Sequence, residues 1–264
     1  VRLVEWRLTK GRHYLAVAGP HFRPAGVVRR FELQALDRPV TEPQYAFALF
    51  ADTHLGKGRH EWMNIKMDEP SILELEQTFK QVRNEGADFA FIAGDMTDGG
   101  RRDQFESLAS VIKNASLPVY GCVGNHETFG STSRKDLMEL VPHLFPLAKT
   151  DYVLSKPPLR FVVLDGSWWH DREGNILSGY DRSKAVGVTI KPEQLEWLRT
   201  TLATDAHTPT VVLWHYAFSN RRGVTSCGYD LGQPTLEKNV MRILEASSNV
   251  VATLNGHMHF NAFS

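Results

Sequence analysis

The stretch YAFALFADTH, residues 45–54, decides the fold, because an apolar run ends directly in Asp52, Thr53 and His54. Residues 45–51 are continuously apolar or aromatic, which predicts a short strand buried on both faces of its sheet. Such strands are typical of sheets that helices cover on both sides. The polar residues that follow then lie at the carboxyl end of the strand, which is the edge where α/β sheets bind ligands.

Apolar runs and segments with helical periodicity alternate through most of the chain. Ser71 is the predicted N-cap of the first helix, with Glu74 three residues further on and Gly86 as the stop. Strands that alternate with helices predict the α/β fold class. The predicted strands are 45–51, 89–93, 117–123, 160–165, 210–214 and 249–254, and the predicted helices are 71–86, 103–115, a short one from 135, 192–204 and 235–246.

Residues 1–43 differ from the rest of the chain. Alternating and extended runs within them indicate β structure, and Pro39 and Pro43 then interrupt the chain. Two interpretations stay open: a small N-terminal β appendage that ends a larger upstream β domain, or strands at the edge of the main sheet. Residues 44–264 form the predicted main domain.

The composition narrows the expected partners. The 264 residues carry 30 Lys and Arg against 30 Asp and Glu, so no net field favours a polyanion, and nucleic acid is not expected. Two cysteines are too few for a disulfide framework, and Cys122 lies in an apolar run where a buried free thiol is expected. No apolar run approaches the roughly 20 residues of a membrane span, so no membrane partner is expected. Compartment and oligomeric state stay open.

Acids, an amide and histidines follow five of the predicted strands at the point where each strand ends. Asp52 and His54 stand two positions apart in a segment that the pattern predicts to be extended, so both would face the same side. Because the carboxyl ends of the strands share one edge, the five groups are expected to meet there. The other groups are Asp95 with Asp98, Asn125 with His126 and Glu127, His215, and His257 with His259.

Each group alone is weak evidence for a metal site. An aspartate after a strand is commonly a turn or cap residue, and a single histidine such as His215 is more often structural. Carboxylates, imidazoles and an amide oxygen are, however, ligands that suit Zn, Mn or Fe, and five of the six predicted strands are followed by such residues. The sequence therefore predicts one metal site built from all five groups.

The ordered motifs resemble those of the calcineurin-like metallophosphoesterase superfamily. The resemblance extends over about residues 45–262 and is closest to bacterial members of the class III cyclic-nucleotide phosphodiesterase type. It implies a four-layer α/β/β/α sandwich. Members usually continue with further strands of the second sheet, so we expect the chain to be a fragment or partly disordered near Ser264. The motifs are Asp52-x-His54, Gly94-Asp95-x-x-Asp98, Gly124-Asn125-His126-Glu127, a Val-x-x-His that ends at His215, and Gly256-His257-x-His259.

The resemblance also implies two metal ions, which would be Mn, Fe or Zn. Asp95 would bridge the two ions. His126 is not a ligand in this superfamily and would face the substrate phosphate. The remaining ligands implied are Asp52, His54 and His259 for one ion, and Asn125, His215 and His257 for the other.

The implied function is hydrolysis of a small phosphorylated substrate, either a phosphomonoester or a phosphodiester. Two cations about 3.5–4 Å apart would lower the pKa of a bridging water, and the resulting hydroxide would attack phosphorus. His126 would act as general acid or contact the phosphate, and Asn125 would help to bind the substrate. Glu127 and Asp98 are either partners that orient a ligand or solvated loop carboxylates. The alternative functions are a nuclease of the same superfamily and a non-catalytic metal-binding module.

Three predicted loops are candidates for determining specificity. They span residues 57–68, 167–187 and 220–230, and they contain basic and aromatic residues, including Trp168 and Trp169. Such residues can contact a phosphate or stack on an aromatic group. The alternative is that the charges are solvated and the tryptophans pack on the core.

Overall fold

A computed structural model describes residues 15–16, 45–56, 68–216, 234–257 and 262–263, with side chains at 45–56, 71–216 and 239–257. All six predicted strands are present in these ranges, and each begins and ends within two residues of its predicted bounds. The strands are β1 (Leu15–Ala16), β2 (Phe47–Phe50), β3 (Phe89–Ala93), β4 (Val119–Cys122), β5 (Tyr152–Lys156), β6 (Leu159–Val163), β7 (Trp168–His170), β8 (Ile176–Leu177), β9 (Gly187–Thr189), β10 (Thr210–Leu213), β11 (Val250–Leu254) and β12 (Ala262–Phe263).

The α-helices of the described ranges are α1 (Asp68–Asn84), α2 (Arg102–Asn114), α3 (Ser133–Leu140), α4 (Pro192–Thr204) and α5 (Pro234–Ala246). The predicted N-cap of α1 is wrong, because the helix begins at Asp68 and Ser71 lies inside its first turns. Pro70 is tolerated there, since the first N–H groups of a helix have no acceptor within it. None of these described helices is long and apolar enough to cross a membrane.

Two sheets form the centre of the fold. One is parallel with the order β2-β3-β4, and the other has the order β11-β10-β6-β5, in which β5 alone runs antiparallel to its neighbour. Aromatic side chains join the sheets face to face. The ring centroid of Phe161 on β6 lies 5.3 Å from that of Phe47 on β2 and 5.0 Å from that of Phe91 on β3. Large buried rings of this kind supply much of the apolar area that stabilises a core.

Helices cover the outer face of each sheet. On one side, the ring of Phe79 in α1 packs on that of Phe50 in β2 with 5.2 Å between centroids. On the other side, Arg160 precedes Phe161 on β6 and therefore points to the opposite face of that strand. There the Arg160 guanidinium donates to the Thr201 carbonyl oxygen of α4 at 3.2 Å. The order helix, sheet, sheet, helix confirms the predicted four-layer α/β/β/α sandwich.

Residues 168–189 form a third, small sheet where the sequence predicts a loop. β7 pairs antiparallel with β8 on one side and with β9 on the other. Trp169 is buried in the core. For this tryptophan, the alternative that it packs on the core and does not contact a ligand directly is the one that the structure favours. Trp168 lies between two cations, with Arg134 Cζ 3.9 Å and Lys191 Nζ 3.4 Å from its ring.

The two described residues of the N-terminal segment, β1, pair antiparallel with β12. The rest of residues 1–44 lies outside the described residues, so both interpretations of that segment stay predictions, as does the boundary at residue 44. His259 and the segments 57–67 and 217–233 lie outside them as well. Cys122 is a buried free cysteine, as expected.

Candidate metal centre

The polar residues that follow β2, β3, β4, β10 and β11 meet where the two sheets end. Backbone hydrogen bonds join the loops that carry them. The His54 N–H donates to the Asp95 carbonyl oxygen at 2.9 Å, and the Gly256 N–H donates to the His215 carbonyl oxygen at 2.9 Å. All five predicted groups therefore lie together, with the exception of His259, which falls outside the described residues.

Asp95, His215 and His257 form one buried group of three potential metal ligands. His215 Nε2 lies 3.2 Å from Asp95 Oδ2 and 3.2 Å from His257 Nδ1. On its other side, His215 Nδ1 lies 2.8 Å from the carbonyl oxygen of Ala93. A carbonyl can only accept, so Nδ1 carries the proton of a neutral ring and Nε2 is left with a lone pair. Carboxylate and imidazole atoms thus converge as they do around a cation.

His54 and His126 form a second group of potential ligands with the same carboxylate. Their Nε2 atoms lie 3.7 Å and 3.8 Å from Asp95 Oδ2, and their rings meet edge to face with 4.4 Å between centroids. Asp95 Oδ2 is therefore common to both groups. His126 lies as near to it as the predicted ligand His54, so the assignment of His126 to the substrate stays a prediction.

Two hydrogen bonds hold His126, one made by its backbone and one by its ring. Its backbone N–H donates to Asp95 Oδ1 at 3.0 Å, and its Nδ1 lies 2.6 Å from the carbonyl oxygen of Asp98. Nδ1 is therefore the donor, and Nε2 is the atom that faces the site. The His126 side chain is 12% exposed, compared with 9% for His54 and none for His215. Among these imidazoles it is the one most open to a substrate.

Asn125 and Asp52 complete the described part of the site. Asn125 is buried, and its Oδ1 atom has no hydrogen-bond partner among the described residues. A buried acceptor without a donor costs about 1–3 kcal/mol, a cost that a bound cation would remove. The Asp52 carboxylate accepts the His257 N–H, at 2.9 Å from each oxygen, and so lies directly beside a predicted ligand. The residues present therefore fit a metal centre.

The electrostatics of the centre also favour a cation. Burial alone would raise the pKa of Asp95, but the nearby imidazoles of His215 and His126 hold it well below its usual range. Burial alone would lower the pKa of His215, but the carboxylates of Asp95 and Asp52 raise it to about 9. Both shifts reflect the attraction between the Asp95 carboxylate and a protonated imidazole, whose charge a metal ion bound at Nε2 would replace.

The backbone is left-handed at four of the predicted ligands. The φ angles are 56° at Asp52, 42° at His54, 49° at Asp95 and 72° at His257. The prediction that residues 52–54 are extended is therefore wrong. Each such residue costs about 1–2 kcal/mol, and it persists only where its surroundings fix it, as the hydrogen bonds between these loops do.

Gly94 shows why a glycine precedes the shared carboxylate. Its φ angle is 86°, and a Cβ atom at this position would overlap the ring of His215. Only glycine combines this conformation with so close an approach.

Glu127 is a buried carboxylate that joins two of the loops. Oε1 accepts the Thr97 N–H and Oε2 accepts the Gly124 N–H, both at 2.9 Å. Burial, and after it the negative charge of Asp95, raises the pKa of Glu127 to about 7. The alternative that Glu127 is a solvated loop residue is wrong. Asp98 is also largely buried, and its Oδ1 lies 3.6 Å from His54 Nδ1.

We expect Glu127→Gln to lower the free energy of unfolding by about 1–3 kcal/mol. The NH₂ group of the glutamine would face one of the two backbone N–H donors, which would then lose its acceptor. Metal affinity should fall about 10–100-fold, since both loops carry predicted ligands. Glu139→Gln is the matched control, because the Glu139 side chain is 49% exposed and pairs only with Arg102 among the described residues. Urea unfolding and calorimetric titration with Mn²⁺ measure both effects. Equal behaviour of the two variants would contradict the role of Glu127.

Two aromatic residues near the centre, Phe129 and Tyr180, are not among the predicted site residues, although Tyr180 lies within the candidate specificity loop 167–187. The Phe129 ring lies 4.4 Å from that of His126, and Tyr180 lies 6.1 Å from Phe129, measured between centroids. Phe129 directly follows a short 3-10 helix (His126–Thr128), in which residues three apart lie one above the other. This spacing is a signal that the sequence contains. Tyr180 comes from a distant segment and has no such signal.

Comparisons with known proteins agree with this geometry. A family model described as calcineurin-like phosphoesterase matches residues 45–261. A cAMP/cGMP dual specificity phosphodiesterase of Mycobacterium tuberculosis (strain CDC 1551 / Oshkosh) is 25% identical over 236 residues, which are 87% of this chain and 65% of that protein. A probable cyclic nucleotide phosphodiesterase of Rhodococcus erythropolis is 24% identical over 227 residues, which are 83% of this chain and 66% of that protein.

This chain thus spans slightly less than two thirds of the length of those two relatives. Among solved structures, a dimetal phosphatase from Danio rerio has a similar fold, with a TM-score of 0.63 and 19% identity over 83% of this chain and 82% of that one. Because the family model takes in every described strand end that carries a predicted ligand, the chain belongs to the calcineurin-like phosphoesterase family.

Proposed function

We propose that this chain hydrolyses phosphate esters with a pair of divalent metal ions. The observation that carries the proposal is the position of Asp95 Oδ2. It lies 3.2 Å from His215 Nε2 and 3.7 Å from His54 Nε2, so one carboxylate oxygen belongs to two groups of potential ligands. A shared carboxylate suits two neighbouring ions better than one.

The chain offers each ion its own set of ligands around Asp95. Mn, Fe or Zn would suit these sets, because each combines imidazole nitrogen with carboxylate or amide oxygen. When bound, the two ions supply Lewis acidity and a nucleophile at neutral pH. The proposed ligands besides Asp95 are Asp52, His54 and His259 on one side, and Asn125, His215 and His257 on the other.

His126 is the proposed proton donor to the leaving group. Its Nδ1–H is fixed on the Asp98 carbonyl oxygen, so a proton would move at Nε2, the atom that faces the site. A protonated Nε2 would first contact a phosphate oxygen and then release its proton to the leaving oxygen. The hydrogen bond to the Asp98 carbonyl oxygen keeps the ring oriented for both steps.

Phosphodiesters are the proposed substrate class, and this finer assignment draws on two relatives named as cyclic nucleotide phosphodiesterases. The balance of 30 cationic and 30 anionic residues favours a small ester over a polynucleotide, which a basic surface would have to hold.

One preparation tests the proposal. Metal analysis is expected to find up to two equivalents of transition metal, and cleavage of bis(p-nitrophenyl) phosphate is expected to exceed that of p-nitrophenyl phosphate. A monoesterase would show the reverse order, which would refute the substrate class alone. A folded protein that binds no metal and cleaves neither ester with Mn, Zn or Fe would overturn the proposal.

We expect His126→Ala to keep its metal content and to lower kcat about 10²–10⁴-fold, because the variant loses a proton donor and not a ligand. Metal analysis and steady-state kinetics on bis(p-nitrophenyl) phosphate measure the two quantities separately. His143→Ala is the control, since His143 lies in a different part of the chain between α3 and β5. Loss of one metal equivalent in His126→Ala would show instead that His126 is a ligand.

A further inference from the structure

We infer that Phe129 and Tyr180 form the surface that binds the organic group of the ester, and that this group is a flat aromatic ring system. The inference rests on the proposed function, because it concerns the substrate of that same site. The chemistry recognised is an aromatic face, which either a nucleobase or a simple aryl ring can present.

The position of Phe129 carries the first step. His126 Nε2 faces the centre, so an ester whose phosphorus lies there must place its organic group beside the His126 ring. Phe129 occupies that neighbourhood, with 4.4 Å between the two ring centroids and 46° between the ring planes. Phe129 is only partly buried, so part of its ring remains accessible to a ligand.

Tyr180 extends this aromatic surface outward. Its ring lies 6.1 Å from Phe129 and 4.8 Å from Trp169, measured between centroids. Tyr180 is 36% exposed, whereas Trp169 beneath it is 2% exposed. Rings that served only the core would be covered like Trp169. The surface therefore has a buried base and two rings that a ligand can reach.

Hydrogen bonds fix the backbone of Tyr180 and the Trp169 ring that Tyr180 packs on. The Tyr180 N–H donates to the Thr128 carbonyl oxygen at 2.7 Å, and Trp169 Nε1–H donates to Thr128 Oγ1 at 2.9 Å. A Cβ atom at Gly179 would overlap the carbonyl oxygen of Gly130, so this backbone approach requires glycine. A surface that is already ordered loses little conformational entropy when a ligand binds.

The arrangement of the rings favours an aromatic ligand over an aliphatic one. The ring planes of Phe129 and Tyr180 are tilted by 59°, so the two rings present faces in different directions and not one flat wall. A planar ring beside them can stack on one face and meet the other with its edge, which are the two geometries that aromatic pairs prefer. A saturated ring of equal size would be stabilised only by burial of its apolar surface, without the additional attraction between aromatic rings.

Binding of matched phosphate monoesters tests the inference, because a monoester is the product of diester cleavage and not the proposed substrate. Calorimetry on the metal-loaded protein would compare phenyl phosphate with cyclohexyl phosphate, and adenosine 5′-phosphate with ribose 5-phosphate. We expect the aromatic member of at least one pair to bind about 10-fold more tightly, the order of a single ring stack. A preference within the first pair indicates an aryl group, and a preference within the second pair alone indicates a nucleobase.

Tyr180→Leu and Phe129→Leu should each bring this ratio towards one, because leucine keeps an apolar side chain but removes the ring. Trp197→Leu is the control, since Trp197 is a partly buried tryptophan on α4, the helix on the outer face of the other sheet. Thermal melting confirms that each variant is folded, and either ring variant alone suffices for the comparison.

A ratio near one in the wild-type protein, or an unchanged ratio in the ring variants, would overturn the inference. Equal losses for both members of a pair would do the same, because they indicate packing alone. These results are distinct from failure of the proposed function, in which the wild-type protein binds no metal and cleaves no ester.

Discussion

Replacing Asp95 with alanine is expected to remove metal from both positions and to lower kcat/KM by more than about 100-fold. Removing a residue that only orients a metal ligand typically costs about 10–100-fold, and removing a ligand of both ions should cost more. Its Oδ2 lies 3.2 Å from His215 Nε2 and 3.7 Å from His54 Nε2, so both groups of ligands depend on it. Without the carboxylate, these imidazoles would surround a position with no compensating negative charge. Metal content after gel filtration and kinetics on bis(p-nitrophenyl) phosphate check this result.

The variant Asp95→Asn distinguishes the effect of the negative charge of Asp95 from the effect of the hydrogen bond that Asp95 accepts. Its amide oxygen can still accept the His126 N–H, as Oδ1 does at 3.0 Å, but it carries no negative charge. We expect this variant to melt closer to wild type than Asp95→Ala and still to lose metal. Asp103→Asn is the control, because that side chain is 65% exposed and pairs with Arg101 at the surface. A variant Asp95→Ala that keeps one full equivalent of metal would contradict the bridging role.

The second large effect is expected in stability. Arg134→Met should lower the free energy of unfolding by about 3–5 kcal/mol at pH 7, because it leaves a buried carboxylate without its charge partner. Arg134 donates to the two oxygens of Asp165 at 2.6 Å and 3.1 Å, and Asp165 is fully buried. Arg134 also donates to the carbonyl oxygens of Ser167 and Ser178, at 2.9 Å and 2.8 Å. Urea unfolding measures the loss.

The loss of unfolding free energy caused by Arg134→Met should become smaller as the pH falls. Burial alone would raise the pKa of Asp165, but Arg134 lowers it below its ordinary value. In the wild type, this carboxylate therefore stabilises the fold above an unfolded-state pKa of about 3.9, and the contribution is lost in acid. In Arg134→Met, burial still raises the pKa of Asp165 and only the hydrogen bonds from Thr150 and Ser167 oppose it, so the pKa rises and protonation in acid makes the variant less unstable relative to wild type.

Arg102→Met is the matched control for this prediction. The same substitution there removes ion pairs with Asp136 and Glu139, but the Arg102 side chain is 47% exposed. Solvent screens such pairs, so we expect a loss of about 1 kcal/mol or less. If Arg102→Met and Arg134→Met lowered the free energy of unfolding by similar amounts at pH 7, burial of the Arg134–Asp165 pair would not account for the effect.

Most of the architecture could be predicted from the sequence, because fully buried parallel strands have an unmistakable pattern. β3 and α4 have the predicted bounds, and the polar residues do collect where the strands end. The family resemblance, and not the strand pattern, implies that Asp95 is the ligand shared by both ions, and this role stays a prediction. The pattern works because strand order fixes which edge the residues reach, whatever the details of the loops.

Loop conformation could not be predicted in the same way. Asp52 and His54 do lie in one site, but by two left-handed backbone turns and not by the alternation of an extended segment. Burial of Glu127 depends on contacts with Thr97, 30 residues away in the chain. Tyr180 likewise reaches Phe129 only through tertiary contacts. Periodicity reports local structure, and these features arise from distant parts of the chain.

The four left-handed backbone positions have a consequence for the evolution and engineering of this protein. Glycine would relieve the backbone strain at Asp52, His54, Asp95 and His257, but at Asp52 and Asp95 it would also remove the acceptor of a backbone N–H. A procedure that selects variants only for thermal stability would therefore tend to erase His54 and His257 first, and with them two ligands of the proposed centre. Stability and activity are thus opposed at these positions, and a stabilised variant should be sought elsewhere in the chain.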